Sequence, residues 1–300
     1  MKVSAPSLLQ TLPADKSCIA VYADLFKARL TSLVLLTTAV GFYLGTGVQS
    51  YALLFHTVFG MALVAVGGAA LNQWWERDHD ALMRRTRERP LPSHRLQPAT
   101  VLWIGWSCAI LGVGYLTLLT NPLAGGLAAF TLTTYLFVYT PLKRVTWLNT
   151  MVGAVPGALP PLIGWTAARG VIDTAGLSLF AIQAFWQIPH FMAIAWIYRD
   201  EYARAGFRML PVLDPQGLRT SRQSLLFTAA LFVSSLAPWV LGLAGTLYLA
   251  AALVLGGLFV ASAARFTLEL TVSNARRLFY ASILYLPLVQ AALVLDKIKT

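Results

Sequence analysis

Apolar and polar positions alternate along this 300-residue chain in long blocks, and the blocks predict about nine membrane-crossing helices. A spanning helix needs roughly 20 mostly apolar residues. Runs of that kind lie at about 29–47, 52–74, 99–119, 122–140, 147–167, 174–198, 224–243, 245–267 and 277–295. Short turns such as Thr120-Asn121-Pro122 and Leu243-Ala244-Gly245 join several of them. Inside a bilayer every backbone group must be bonded within its own span, so the fold class is all-α, a polytopic membrane helical bundle. Pro156, Pro160, Pro161 and Pro189 fall inside predicted spans. Proline frees a carbonyl, so kinks that shape a central cavity are expected there.

Composition agrees with this pattern. The chain is 57% hydrophobic and 12% charged, with a mean hydropathy of +0.66, while a soluble domain carries about twice that charged fraction. A net charge of +11 would suit nucleic acid, but its placement excludes that partner and points to the lipid bilayer. Of the 23 Lys and Arg residues, 16 sit in every second connection, and Arg169 stands alone in the others. Four more precede the first span, and Lys297 and Lys299 follow the last. The positive-inside rule then places the N-terminus and the basic loops in the cytoplasm.

Residues 1–27 have no basic start leading into a clean apolar run, so no cleavable signal is expected. Asp15, Asp24 and the lack of arginine argue against a transit peptide. The expected organisation is a cytoplasmic segment over 1–27 and a single transmembrane domain over 28–300, in a bacterial inner membrane. Cys18 and Cys108 form no metal or redox motif.

Candidate chemistry gathers at the ends of two spans. Asn72, Glu76 and Asp80 are spaced four apart, which puts them on one slowly drifting helical face. An amide and two carboxylates offer Mg²⁺ the few hard oxygens it takes beside water and phosphate. Arg84, Arg87 and Arg89 follow, and arginine forks match phosphate oxygens. The plainer alternative is a solvated helix end. A second stretch repeats the pattern: His190 lies inside an apolar span that runs into Tyr198, Arg199, Asp200, Glu201 and Arg204. Asp200 and Glu201 are candidates for a second metal site. His190 is a candidate iron ligand or base, or a packing residue. Lys143 and Arg144 sit on the same side as topology signals or phosphate contacts. The small residues between Gly153 and Trp165 allow close helix approach or leave room for a flat ligand. Trp74, Trp75, Trp186 and Tyr198 are candidates to shield a cation.

These stretches, Asn72–Asp80, Met83–Pro92, Tyr139–Asn149, Gly153–Trp165 and Pro189–Pro211, resemble the UbiA superfamily of intramembrane prenyltransferases, and within it the branch that farnesylates haem. The resemblance covers about residues 25–295. It implies a nine-helix bundle with a cavity open to the cytoplasm and transfer of farnesyl from farnesyl diphosphate to a vinyl group of haem B. Hydration then gives haem O, destined for a haem A synthase or terminal oxidase assembly.

It also implies roles. Asn72, Glu76 and Asp80 hold Mg²⁺ and diphosphate, and Asp200 belongs to a second acidic motif. Position 204 is Arg where the superfamily has Asp, which leaves Glu201 as the substitute ligand. Arg84, Arg87 and Lys143 match basic positions near the diphosphate, and His190 matches a histidine of the haem branch; Tyr198 and Arg204, read from the second stretch itself, are further candidates for substrate contact. Two competing readings are a sister prenyltransferase for a quinone precursor or chlorophyll-type pigment, and a secondary transporter.

Overall fold

The computed structural model describes residues 16–46 and 50–298. Residues 1–15, most of the expected N-terminal segment, and Lys299 lie outside them. A short helix, α1 (Cys18–Leu25), precedes the first span. Nine helices among the described residues are long and apolar enough to cross a membrane. They are α2 (Ala28–Gly45), α3 (Tyr51–Asp80), α4 (Pro98–Leu119), α5 (Pro122–Val145), α6 (Asn149–Arg169), α7 (Thr174–Ile197), α8 (Leu218–Val240), α9 (Thr246–Leu268) and α10 (Val272–Leu295). The described residues contain no strand, only an isolated bridge between Ala244 and Lys297.

The span number matches the apolar pattern, and several ends differ. α3 continues six residues past the expected stop at 74, so Glu76 and Asp80 are helical. α5 runs to Val145, and α8 and α10 each begin about five residues early. Each extra segment is polar, so hydropathy ended the span where the helix continued. The stretch expected as a loop at 199–223 contains short helices, Arg199–Arg204 and Leu210–Leu213.

Local chemistry sets the remaining ends. Ser50, Asn121, Asp173 and Thr271 each accept a backbone N–H of the following first turn. Gly170 closes α6 at φ 74°, a conformation that costs glycine little. The helices continue through Pro156, Pro160, Pro161 and Pro189.

Packing brings α3 against α4, and α2 against α6, very closely. Gly41 faces the carbonyl oxygen of Pro161, and Gly164 faces that of Thr38, with no space for a Cβ at either. The small residues of α6 are therefore consumed by packing. Gly153 receives the Tyr139 ring and Gly157 the Gln187 amide, so neighbouring side chains fill the space at both glycines. Large apolar side chains such as Trp103, Leu118 and Leu226 point outward from the bundle, as a lipid-facing rim requires.

Candidate active site

The last turns of α3 carry Asn72, Glu76 and Asp80 inward, and all three are buried, the carboxylates at 6% and 3% exposure. Buried carboxylates must be paired, and each group of the stripe meets its own cation. The Lys143 ammonium sits 2.8 Å from Glu76 Oε1. Arg89 Nη1 lies 2.6 Å from Asp80 Oδ2. The Lys27 ammonium donates to Asn72 Oδ1 at 2.7 Å. Asn72 Nδ2 in turn donates to Glu76 Oε2 at 3.1 Å and to Thr140 Oγ1 at 3.2 Å, which ties the stripe to α5.

Backbone irregularities aim these cations. In α5, Thr134–Tyr139 forms a π-helical segment just before Pro141, which has no N–H to continue the regular ladder. The wider turn stacks Tyr135 and Tyr139 at 5.9 Å. It also sets the Lys143 ammonium 4.6 Å above the Tyr139 ring. Lys27, between α1 and α2, adopts φ 48°, unusual for a residue with a side chain. That turn points its ammonium toward Asn72 and, at 3.4 Å, Tyr135 Oη. Burial, with the charges of Arg89 and Lys143, pushes its pKa down to about 7.

The other candidate residues are placed differently. Arg84 is exposed, and Arg87 is 62% exposed beside Glu88 at 3.8 Å. Asp200 is 90% exposed and pairs only loosely with Arg199, at 3.7 Å. Tyr198 and Arg204 are exposed as well. Glu201 differs, because its Oε2 is buried with no hydrogen-bond partner. Trp74 lies about 200° round α3 from Asn72 and packs near Leu25 and Leu91. Trp75 meets Phe137 edge-on. Neither tryptophan stands over the stripe. His190, on α7, bonds Ser282 Oγ of α10 through Nδ1 at 2.7 Å, with the Trp186 ring stacked 4.8 Å away.

Two clefts within the bundle are small. One of about 10 Å³ includes Gln183 and Gln290, and another of about 40 Å³ includes Trp75 and Trp106. Neither is lined by the acidic stripe, where Lys27, Lys143 and Arg89 meet the oxygens directly.

Among the described residues no three His, Cys, Asp or Glu side chains converge as a complete metal cage. Two carboxylates and an amide still fit Mg²⁺, which keeps most of its shell as water and phosphate.

The model of the UbiA prenyltransferase family matches residues 34–286. The chain belongs to the UbiA prenyltransferase family. That membership sets aside the transporter reading. This UbiA chain is similar to a protein of Solibacter usitatus (strain Ellin6076) named Protoheme IX farnesyltransferase. The two are 46% identical over 286 residues, 92% of this chain and 98% of the relative. In fold it is like a structure described for digeranylgeranylglyceryl phosphate synthase, with a TM-score of 0.80 at 16% identity, covering 94% and 99% of the two chains. It is also like a UbiA homologue from Archaeoglobus fulgidus bound to GPP and Mg²⁺, with a TM-score of 0.61 at 17% identity, covering 91% and 99%.

Sequence reasoning missed Lys27 in this UbiA chain and preferred Arg84 and Arg87 to Arg89 as diphosphate contacts. Lys27 stands 45 residues before its partner, in an unremarkable stretch. Arg89 is one of six arginines between 77 and 95, and only the fold shows which of them turns back to Asp80.

Proposed function

We propose that this protein transfers the farnesyl group of farnesyl diphosphate to a vinyl group of haem B, with addition of water, to give haem O. The carrying observation is the buried stripe Asn72–Glu76–Asp80 with a cation on each member, in a chain whose near-full-length relative bears the name Protoheme IX farnesyltransferase. Asn72, Glu76 and Asp80 are the residues that would hold Mg²⁺, with Asp200 and Glu201 as candidates for a second site. When bound there with substrate, the metal would neutralise charge on the diphosphate.

Lys27, Lys143 and Arg89 already stand at the stripe. They receive the diphosphate oxygens and stabilise the charge that grows as the allylic C–O bond breaks. The haem vinyl group attacks the farnesyl carbon, and water captures the new cation beside the macrocycle. Diphosphate leaves, so the sum is farnesyl diphosphate, haem B and water giving haem O and diphosphate. The acceptor is read from the relative's name and from His190, a ring-flanked imidazole in the apolar body of the bundle. The placement of basic loops supports a cytoplasmic N-terminus; a bacterial inner membrane, and passage of haem O to a haem A synthase or terminal oxidase assembly, belong to the same reading through the family resemblance.

The test is a product assay with purified protein, haem B, farnesyl diphosphate and Mg²⁺, read by liquid chromatography and mass spectrometry. The expected product is a haem heavier by one farnesyl group and one water, lost on adding EDTA. Glu76→Gln and Asp80→Asn should each lower the rate by about 10²–10³-fold. Full activity in both variants would remove the stripe from the mechanism. Prenylation of an offered quinone precursor, with no haem product, would move the acceptor to the sister branch.

A further inference from the structure

One hydroxyl on α10 governs a histidine on α7. Ser282 Oγ lies 2.6 Å from the carbonyl oxygen of Phe279 in its own helix. A carbonyl has no proton to give, so the hydroxyl proton lies on that line. Ser282 has no second proton. Its other contact, 2.7 Å to His190 Nδ1, must therefore be made by a proton on the imidazole. His190 is thus the Nδ1–H tautomer, and in a neutral ring Nε2 then carries the lone pair.

The surroundings hold that orientation. Trp186 Nε1 donates to the backbone oxygen of the same Ser282 at 2.8 Å. Its ring lies 4.8 Å from the imidazole at an interplanar angle of 24°. Phe279 is 5.1 Å away at 33°. A flip of the imidazole would place a C–H against Ser282 Oγ and lose the bond. Among the described residues Nε2 has no hydrogen-bond partner, and it is not among the sealed polar atoms. The arrangement is that of a metal-binding histidine, whose other N–H is spent on a protein acceptor that fixes the ring and raises its basicity.

We propose that Ser282 is a positioning residue that locks His190 with Nε2 free, and that Nε2 is an axial ligand to the iron of the haem substrate. This rests on haem being the acceptor and adds how the macrocycle is seated. Iron ligation at one fixed point would set the centre and plane of the macrocycle, and contacts at its rim would then select the vinyl edge presented to the farnesyl carbon.

Full-length protein in detergent is titrated with ferric haem B in the absence of farnesyl diphosphate and Mg²⁺, so no turnover occurs. Absorption and electron paramagnetic resonance spectra report the axial ligand. Nitrogen-15 spectra of histidine-labelled protein report the tautomer. The wild type should show a histidine-ligated haem whose signature disappears in His190→Ala. Ser282→Ala should mix the His190 tautomers and weaken haem binding by about 10–100-fold. Ser282→Thr, which keeps the hydroxyl, should restore both, and a thermal melt of each variant checks folding. Unchanged tautomer and affinity in Ser282→Ala would overturn the role of Ser282. A ligation signature that survives in His190→Ala would overturn the ligand assignment while leaving haem as the substrate. A wild type that neither binds haem nor forms a haem product would instead sink the acceptor reading itself.

Discussion

At the scale of single residues, the site is a set of one-to-one pairings. Asn72, Glu76 and Asp80 could be read from sequence because one helix with one period carries all three. Their cations come from three other places in the chain, and no local pattern announces that. Arg87 and Arg89 look equivalent in sequence, with the same fork and nearly the same position. In the structure Arg87 is largely exposed and Arg89 touches a buried carboxylate at 2.6 Å. Exposed pairs contribute little, whereas hydrogen bonds to a buried charge contribute strongly. Arg89→Gln should therefore lower kcat/KM for farnesyl diphosphate by about 10–100-fold, while Arg87→Gln changes it by no more than about twofold. Steady-state kinetics of the two variants decides the matter. An equal loss in both would mean that Arg87 swings inward when substrate binds.

At the scale of elements, the spans were legible because each apolar block is long, and their ends were not because helices outlast their apolar residues. The extra turns at the end of α3 and the start of α8 are polar, held by packing and by bonds such as Asp214 Oδ2 accepting Thr220 N at 2.8 Å. The small residues of α6 signalled close approach correctly in kind, but sequence could not tell packing from an open ligand slot. Glycine separates the two physically. At Gly41 a methyl group would strike the Pro161 backbone, whereas at Gly114 nothing lies within 4 Å. Gly41→Ala should push α2 from α6 and cost about 1–3 kcal/mol. Gly114→Ala should be neutral or stabilising by up to about 1 kcal/mol, because alanine favours a helix. Chemical denaturation in detergent would measure both, and equal effects would contradict the close contact of α2 with α6.

At the scale of the whole molecule, the first and last spans are tied together. The Lys297 ammonium donates to the carbonyl oxygens of Tyr43 and Thr46, both at 2.6 Å, and so caps the end of α2. Asp296 Oδ2 accepts Tyr248 N at 2.8 Å at the start of α9. Two adjacent tail residues thus join α2, α9 and α10 at the end of the bundle opposite Glu76. In sequence this tail reads only as charge after the last span. Lys297→Ala should lower the unfolding midpoint by a few degrees while leaving kcat unchanged, as melts and the haem assay would show. A loss of kcat at full stability would mean that the tail reaches the chemistry.

α3 has one further consequence. Its 30 residues make a rod about 45 Å long, and the oily layer of a bilayer is only about 30 Å thick. Asn72 then stands near the edge of the oil, with Glu76 and Asp80 one and two turns beyond it. With the reaction at this stripe, as proposed, the helix acts as a ruler that sets it on a phase boundary. A substrate with a hydrated head and a greasy tail can lie along it without dehydrating the one or wetting the other. After the bond breaks, each fragment already sits beside the solvent that dissolves it, diphosphate next to water and the prenylated product in the lipid.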